Sequence, residues 1–244
     1  MPYLPILTYH RVINEAPTKA VDPNRIAVSA AQLRSHLQWL RRLGYRSLSL
    51  NHYAALLKEG RPAPDRMIGI TFDDAYEDMV TLALPILKEQ GFTASVFSVS
   101  RFLGGTNQWD DGRAKLLTAD GLRAWRKAGM EVGGHTASHV HLPQVDEATA
   151  RREISENKKQ LEDILGERVP TFAYPYGETN EAVDRYVFEA GYEAAFVTDR
   201  GRRDHAANLF RLRRVVIFPR TNRWELLWKV QGWYPRYQDW KRKS

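Results

Sequence analysis

Apolar positions along this chain follow two alternating rhythms. Stretches of helical period carry leucines three and four residues apart, as in "SAAQLRSHLQWLRRL", where Leu33, Leu37 and Leu40 make one stripe. Short, nearly continuous apolar runs lie between such stretches. Four times a helical stretch closes on Gly followed by Tyr, Phe or Met: "RRLGY", "KEQGF", "RKAGM" and "FEAGY", at Gly44, Gly91, Gly129 and Gly191. A Gly just past a helix end takes the left-handed conformation that other residues avoid, and the chain then enters a strand. These are the helix-to-strand joints of successive αβ units, whose strands pair in parallel.

The pattern predicts strands at "PILTYH", "YRSLSL", "MIGITFDD", "TASVFSV", "GMEVGGH", "PTFAYP", "EAAFVT" and "LRRVVIF". Helices are expected over "SAAQLRSHLQWLRRL", where Ser29 and Gln32 form a capping-box pair, and over residues 80–90, 122–128, 147–165, 181–190 and 224–231. The length of 244 residues suits one (β/α) barrel, which takes roughly 250. A doubly wound open sheet is the alternative. No GxGxxG or P-loop follows any strand, which counts against its nucleotide-binding form. The expected division is a catalytic domain over residues 1–220 and a basic, Trp-rich helix and tail over 221–244.

Composition changes this picture in three places. Hydrophobic residues make up 43% of the chain, enough for a sizeable core, and the absence of Cys excludes disulfides, thiolate metal sites and a Cys nucleophile. The net charge of +7 is uneven. From Gly201 onward nine Arg and three Lys face Asp204, Glu225 and Asp239, a net +9, so the preceding residues carry −2. A general basic face for nucleic acid is therefore not supported. The tail "TNRWELLWKVQGWYPRYQDWKRKS" holds four of the seven Trp. Trp224, Leu227, Trp228 and Gln231 share one helical face, expected to pack on the barrel. Aromatic and basic residues alternate beyond Gly232, a mix suited to an anionic membrane surface, a sugar platform or a partner protein. Removing residues 233–244 is expected to leave the fold largely intact. The N-terminus lacks the basic region of a signal peptide, and no run approaches the roughly 18 apolar residues of a spanning helix. The expectation is a cytoplasmic protein, or an exported one whose leader has been removed.

Candidate chemistry gathers at strand ends. "MIGITFDDAYED" drives an apolar strand into Asp73 and Asp74, a costly placement at an apolar rim unless negative charge is used there. "GGHTASHVH" supplies His135 and His139 at the four-residue spacing that lets two imidazoles meet on one face of a helical turn. Two His and one carboxylate leave open positions for water and substrate, as a hydrolytic Zn²⁺ site requires. Neighbouring strand residues point to opposite sides, so the two aspartates divide the work. One binds the metal with the histidines and the other takes a proton from water. "FAYPYG" adds a tight turn able to aim the Tyr176 N–H at a developing oxyanion.

With these motifs in order, the chain resembles the polysaccharide deacetylases with the NodB homology domain, carbohydrate esterase family 4. "TFDDAY", "HTASH" and "FAYPYG" look like the family's first three motifs, and the "TYH" opening is closest to the branch acting on bacterial exopolysaccharides. The resemblance implies a distorted (β/α)7 barrel and metal-dependent removal of N-acetyl groups from a glycan of N-acetylglucosamine type. By position it makes Asp73 the catalytic base, Asp74, His135 and His139 the ligands of a divalent metal, most simply Zn²⁺, and Tyr176 the oxyanion donor. Three departures stand out. Ala75 replaces the usual Gly, Ala173 replaces an Arg, and the late Leu-x-His that carries the general acid is absent. Arg214 is the candidate to hold Asp73 ionised in place of the missing Arg, and His10, at a strand end, is the candidate acid. His205 is expected on a solvated loop, His36 and His52 to be structural or exposed, and His141 to stand outside the metal's ligands. The rivals are a non-catalytic glycan-binding barrel that keeps the metal site and a small-molecule amidase on the same fold. A glycoside hydrolase would want two carboxylates facing each other roughly 5 to 10 Å apart, which an adjacent pair suits poorly.

Overall fold

The strands predicted from the apolar runs close on themselves. The computed structural model describes residues 4–198, 208–231 and 234. In chain order the elements are β1 (Ile6–Tyr9), β2 (Arg11–Ile13), β3 (Ala27–Ser29), α1 (Ala30–Arg42), β4 (Arg46–Ser47), α2 (Leu50–Lys58), β5 (Met67–Asp73) and α3 (Leu84–Gln90). They continue with β6 (Ser95–Ser98), α4 (Ala119–Lys127), β7 (Glu131–Gly134), α5 (Glu147–Leu165), β8 (Thr171–Ala173), α6 (Glu181–Glu189), β9 (Ala194–Thr198), β10 (Leu212–Val216) and α7 (Arg223–Lys229). Seven parallel strands run β1-β5-β6-β7-β8-β9-β10, and β10 pairs with β1 to complete the ring. This is the distorted seven-stranded barrel rather than the open sheet. The β7–β8 seam is the thinnest, with Gly134 opposite Phe172 as its only register pair. β4 extends the pairing beside the first residues of β5, where β1 has not yet begun.

Parallel strands covered on both faces need apolar side chains on both, which is why these runs look continuous rather than alternating. Parity still sorts them. Ile68, Ile70 and Phe72 of β5 join the layer beneath the helices, with Leu7, Tyr9, Val96, Val132, Phe172 and Val197. Ile6, Phe97, Ala173, Ala194, Phe196 and Leu212 form a second cluster in the barrel interior, together with Leu50, Tyr53, Ala54 and Leu56 of α2. Helix α2 therefore plugs the N-terminal mouth. Glu131 of β7 fixes it there by accepting from the Leu50 N–H (2.8 Å) and the Ser95 hydroxyl (2.8 Å), an anion at a helix N-terminus. Gly133 faces the crowded interior, where a Cβ would lie 2.4 Å from the Phe97 ring.

All four glycine joints adopt the left-handed conformation, with φ between 72° and 86°. The helix expected over 80–90 begins as a π-helix over Met79–Ala83 before α3. Pro85 lacks the N–H that a regular turn would use there. The Ser29 cap forms, its side chain accepting from the Gln32 N–H. Gln32 does not return the bond. Its amide donates instead to the Thr221 carbonyl (2.9 Å), which also receives His36 Nε2 (2.8 Å), tying α1 to the turn before α7. His36 is thus structural, and His52 is exposed. The stripe expected to pack from α7 does so only in part: Leu227 is half-buried against the core and the Trp224 ring meets Trp39 edge-on at 6.0 Å, but the helix turns a neighbouring face inward. Leu226 and Val230 are buried, whereas Trp224 and Trp228 are 59% and 53% exposed. Tyr234 is buried with its hydroxyl 3.3 Å from Lys229 Nζ, so a truncation at residue 233 removes a packed side chain. The alternating aromatic and basic residues 235–244 lie outside the described residues.

Replacing Gly133 with Ala forces Cβ into Phe97 and is expected to cost about 1–3 kcal/mol of stability by overpacking. Urea denaturation of Gly133→Ala, with and without Phe97→Leu to make room, measures it. The second substitution should recover part of the loss.

Candidate metal centre

The inward parity that fills the barrel with apolar side chains turns polar at the C-terminal rim. Thr8 and Thr71 face each other across β1 and β5 (3.1 Å between hydroxyl oxygens). Above them His10, Asp73, His135 and Thr198 line a cavity of about 900 Å³. Small threonines leave Arg214 room to cross from β10 beneath the pocket. Its guanidinium donates to both oxygens of Asp73 (2.6 and 2.9 Å) and to the Thr71 hydroxyl (3.2 Å), and it lies 5.0 Å from the Phe97 ring centre. Both partners are buried. Burial pushes the Asp73 carboxyl up, but the charge of Arg214, with smaller contributions from His135 and His10, outweighs it and holds the group below the usual carboxylate range.

Asp74 goes elsewhere. The strand ends at Asp73, and Asp74 and Ala75 both take positive φ (73° and 58°). Two successive left-handed residues, rather than strand alternation, swing the second carboxylate away from the first. Asp74 Oδ1 lies 3.5 Å from His135 Nε2 and 3.3 Å from His139 Nε2. Burial raises the Asp74 carboxyl, yet the two imidazoles beside it bring it well below its ordinary value. For His139, burial is the larger influence and lowers its pKa, favouring the neutral ring.

The residues present fit a divalent metal. His135 Nδ1 sits 2.7 Å from the Ala173 carbonyl, which only accepts, so Nδ1 carries the proton and Nε2 presents a lone pair towards Asp74. Asp74 Oδ1 is buried without a full hydrogen-bond partner, as is His139 Nδ1. One ligand atom from each of Asp74, His135 and His139 lies within 4.8 Å of the others. A lone pair aimed at a buried carboxylate is repulsive until a cation stands between them.

The histidines are not on a helical turn as their spacing suggested. Residues 135–141 form a loop in which Thr136 and His139 have φ of 63° and 61°. The Thr136 hydroxyl closes it by accepting from the His139 N–H (2.8 Å). Tyr176, in the "FAYPYG" turn, also has positive φ (60°). Gly177 beside it is required, because a Cβ there would meet Thr198 Oγ1 at 2.3 Å. The Tyr176 ring is 44% exposed on the pocket wall, stacked on His141 (3.7 Å between centroids) and edge-on to His139 (4.6 Å). His141 stands outside the triad, with Nδ1 held by Glu178 (2.9 Å). His10 lines the pocket, its Nε2 3.9 Å from Asp73 Oδ2. His205 lies outside the described residues. Trp109, missed in the sequence, stacks on His139 at 4.7 Å. It sits in a long loop whose polar "NQWDDG" carries no periodicity to reveal it.

This geometry agrees with the kinship of the chain. Residues 60–195, more than half of it, match the profile of the polysaccharide deacetylase family. The chain belongs to that family of carbohydrate deacetylases. Among curated relatives, the putative polysaccharide deacetylase YxkH of Bacillus subtilis is 24% identical over 216 residues, covering 88% of this chain and 72% of that protein. The poly-beta-1,6-N-acetyl-D-glucosamine N-deacetylase of Staphylococcus aureus is 26% identical over 200 residues, covering 78% and 68%. Among solved structures, the deacetylase PplD of Streptococcus pyogenes in complex with acetate superposes with a TM-score of 0.82 at 25% identity, over 93% of this chain and 98% of that one. IcaB from Ammonifex degensii shares the fold at 22% identity, TM-score 0.79, over 97% and 98%.

Arg214→Met leaves Asp73 buried without its counter-charge and is expected to cost about 3–5 kcal/mol in chemical denaturation. Adding Asp73→Leu removes the stranded charge as well, and the double variant should recover most of that loss.

Proposed function

We propose that this protein hydrolyses the acetamide of N-acetylglucosamine residues in a polysaccharide, releasing acetate and leaving a free amine on the sugar. The observation that carries the reading is the separation of two adjacent carboxylates within one pocket: Arg214 grips one of them while two imidazoles face the other. The staphylococcal relative acts on poly-β-1,6-N-acetylglucosamine by its name, and the streptococcal neighbour was solved with acetate, the acid this reaction releases. A glycan of N-acetylglucosamine is accordingly the substrate class we assign.

In this reading Asp74, His135 and His139 hold a divalent cation, Zn²⁺ being the best match to two imidazoles and a carboxylate. Such an ion supplies Lewis-acid polarisation of the acetamide carbonyl and eases deprotonation of water near neutral pH. Asp73 is the general base. Arg214 occupies both its oxygens and keeps it ionised, so the carboxylate is ready to accept the proton of the attacking water and is kept away from the cation. The Tyr176 N–H, which no other described residue engages, donates to the developing oxyanion, an interaction typically worth about 3 kcal/mol. His10 gives a proton to the departing amine. Its Nε2 is close to Asp73 and it opens onto the pocket. The Trp109 and Tyr176 rings flank His139 and offer apolar faces to a pyranose.

Two experiments test these assignments. Asp73→Asn should keep the metal content of the wild type and lose most acetate release from N-acetylglucosamine oligomers, whereas Asp74→Ala should lose both. Equal metal loss in the two variants contradicts the division. His10→Ala should slow amide hydrolysis far more than hydrolysis of activated acetate esters, whose leaving groups need no proton. Equal losses on both substrates remove His10 from the acid role.

A further inference from the structure

Helix α5 buries two polar side chains within its otherwise apolar stripe. Glu153 and Asn157 are 2% and 0% exposed, alongside Ala150, Ile154 and Leu161. A buried amide or carboxylate is costly unless its partners are supplied, and an apolar side chain would cover the barrel at lower cost. The partners of both residues converge on the loop that carries His135 and His139.

Asn157 Oδ1 accepts from the His135 N–H (3.1 Å) and from the Tyr192 hydroxyl (3.2 Å). Its Nδ2 donates to the carbonyls of Thr136 (2.7 Å) and Ser98 (2.9 Å) and approaches the Ser100 hydroxyl (3.0 Å). The amide orientation follows from the partner types, since N–H groups face one end and carbonyls the other. This one side chain therefore grips the backbone on both sides of the His135 peptide plane and the neighbouring end of β6. Glu153 holds the far side of the same turn. Its carboxylate accepts from the Ser138 N–H (2.7 Å) and the Ser138 hydroxyl (2.6 Å), and its own backbone carbonyl accepts from the Ala137 N–H (3.0 Å). Arg101 Nη1 stands 3.5 Å from it. Between these two clamps lies Thr136 in the left-handed region, a conformation that a Thr does not adopt without support from its surroundings. Gly134, just before the loop, admits the clamp, because a Cβ there would lie 2.4 Å from Asn157 Oδ1 and 2.1 Å from the Tyr192 hydroxyl.

We infer that Glu153 and Asn157, one turn apart on the buried face of α5, are positioning residues that hold the His135–His139 loop in its metal-receiving conformation. Neither touches the imidazoles. They act through the backbone that carries them, so that ion binding need not pay for ordering the turn. The inference rests on the metal reading given above for Asp74, His135 and His139.

The test is titration of the purified, metal-stripped protein with Co²⁺, read by calorimetry and by the visible absorption of the bound ion. Glu153→Ala and Asn157→Ala are compared with Leu161→Ala, which thins the same buried stripe one turn further on. The two clamp variants should bind Co²⁺ roughly 10- to 100-fold more weakly than wild type, the usual cost of losing a residue that orients a ligand, with an altered absorption spectrum. Leu161→Ala should bind as wild type does while lowering the melting temperature. Should an alanine variant not fold, Glu153→Gln, which keeps the shape and gives up one acceptor, carries the comparison and should show a smaller loss in the same direction. Clamp variants that bind like Leu161→Ala overturn the inference while leaving the metal site in place. A wild-type protein that takes up no Co²⁺ overturns the metal reading, and the inference falls with it.

Discussion

Two carboxylates adjacent in sequence must stay ionised, buried and a functional distance apart, and the Arg214–Asp73 pair is what makes that possible. Without a buried cation the two charges would share one apolar rim, and one of them would neutralise. With the guanidinium gripping both oxygens of Asp73, only Asp74 is left to face the imidazoles. The rest of the site follows from that division. The pair spans from β10 across β1 to β5, so it can form only because the sheet closes into a ring at β1. Barrel closure and site chemistry are one constraint seen at two scales.

The same parity rule serves both. Inward positions low in the barrel include Ile6, Ala194 and Leu212, in the cluster that packs against α2. Along β1, β9 and β10 the inward positions then become Thr8, Thr198 and Arg214, whereas on β6 the order reverses and Phe97 stands opposite Asp73. Three strands thus move from core to chemistry without changing face, and the left-handed residues 74, 75, 136, 139 and 176 sit where the strands give way to loops. Strained backbone gathered at one rim is what a rigid scaffold supporting a preorganised site would show.

Much of this was legible in the sequence. All eight predicted strands exist, because strands buried on both faces leave long apolar runs, and the four Gly joints mark the ends of α1, α3, α4 and α6. That two aspartates and two histidines meet at one rim could be read from the unusual cost of placing such residues at strand ends, whereas the part assigned to each came from the resemblance of the motifs. Arg214 could be read from a missing positive charge elsewhere. What escaped has physical reasons. β2 and β3 are three residues each, too short to carry a period, and α2 follows its strand so closely that "YRSLSL" masked its start. The loop of His135 and His139 looked helical because spacing alone cannot report that Thr136 is left-handed. That conformation is enforced by Asn157 and Glu153 from another element. The packed face of α7 was placed about one residue off, because its two Trp extended the apolar stripe beyond Leu226, Leu227 and Val230 onto a largely exposed side.

The most direct measurement is a crystal structure of the protein soaked with Zn²⁺, with the ion located by its anomalous scattering. The account predicts one ion bonded at about 2.0–2.2 Å to Asp74, His135 and His139, with both oxygens of Asp73 still on Arg214. An ion coordinated by Asp73, or an Asp73 carboxylate released from the guanidinium to reach it, would contradict the division on which the account depends.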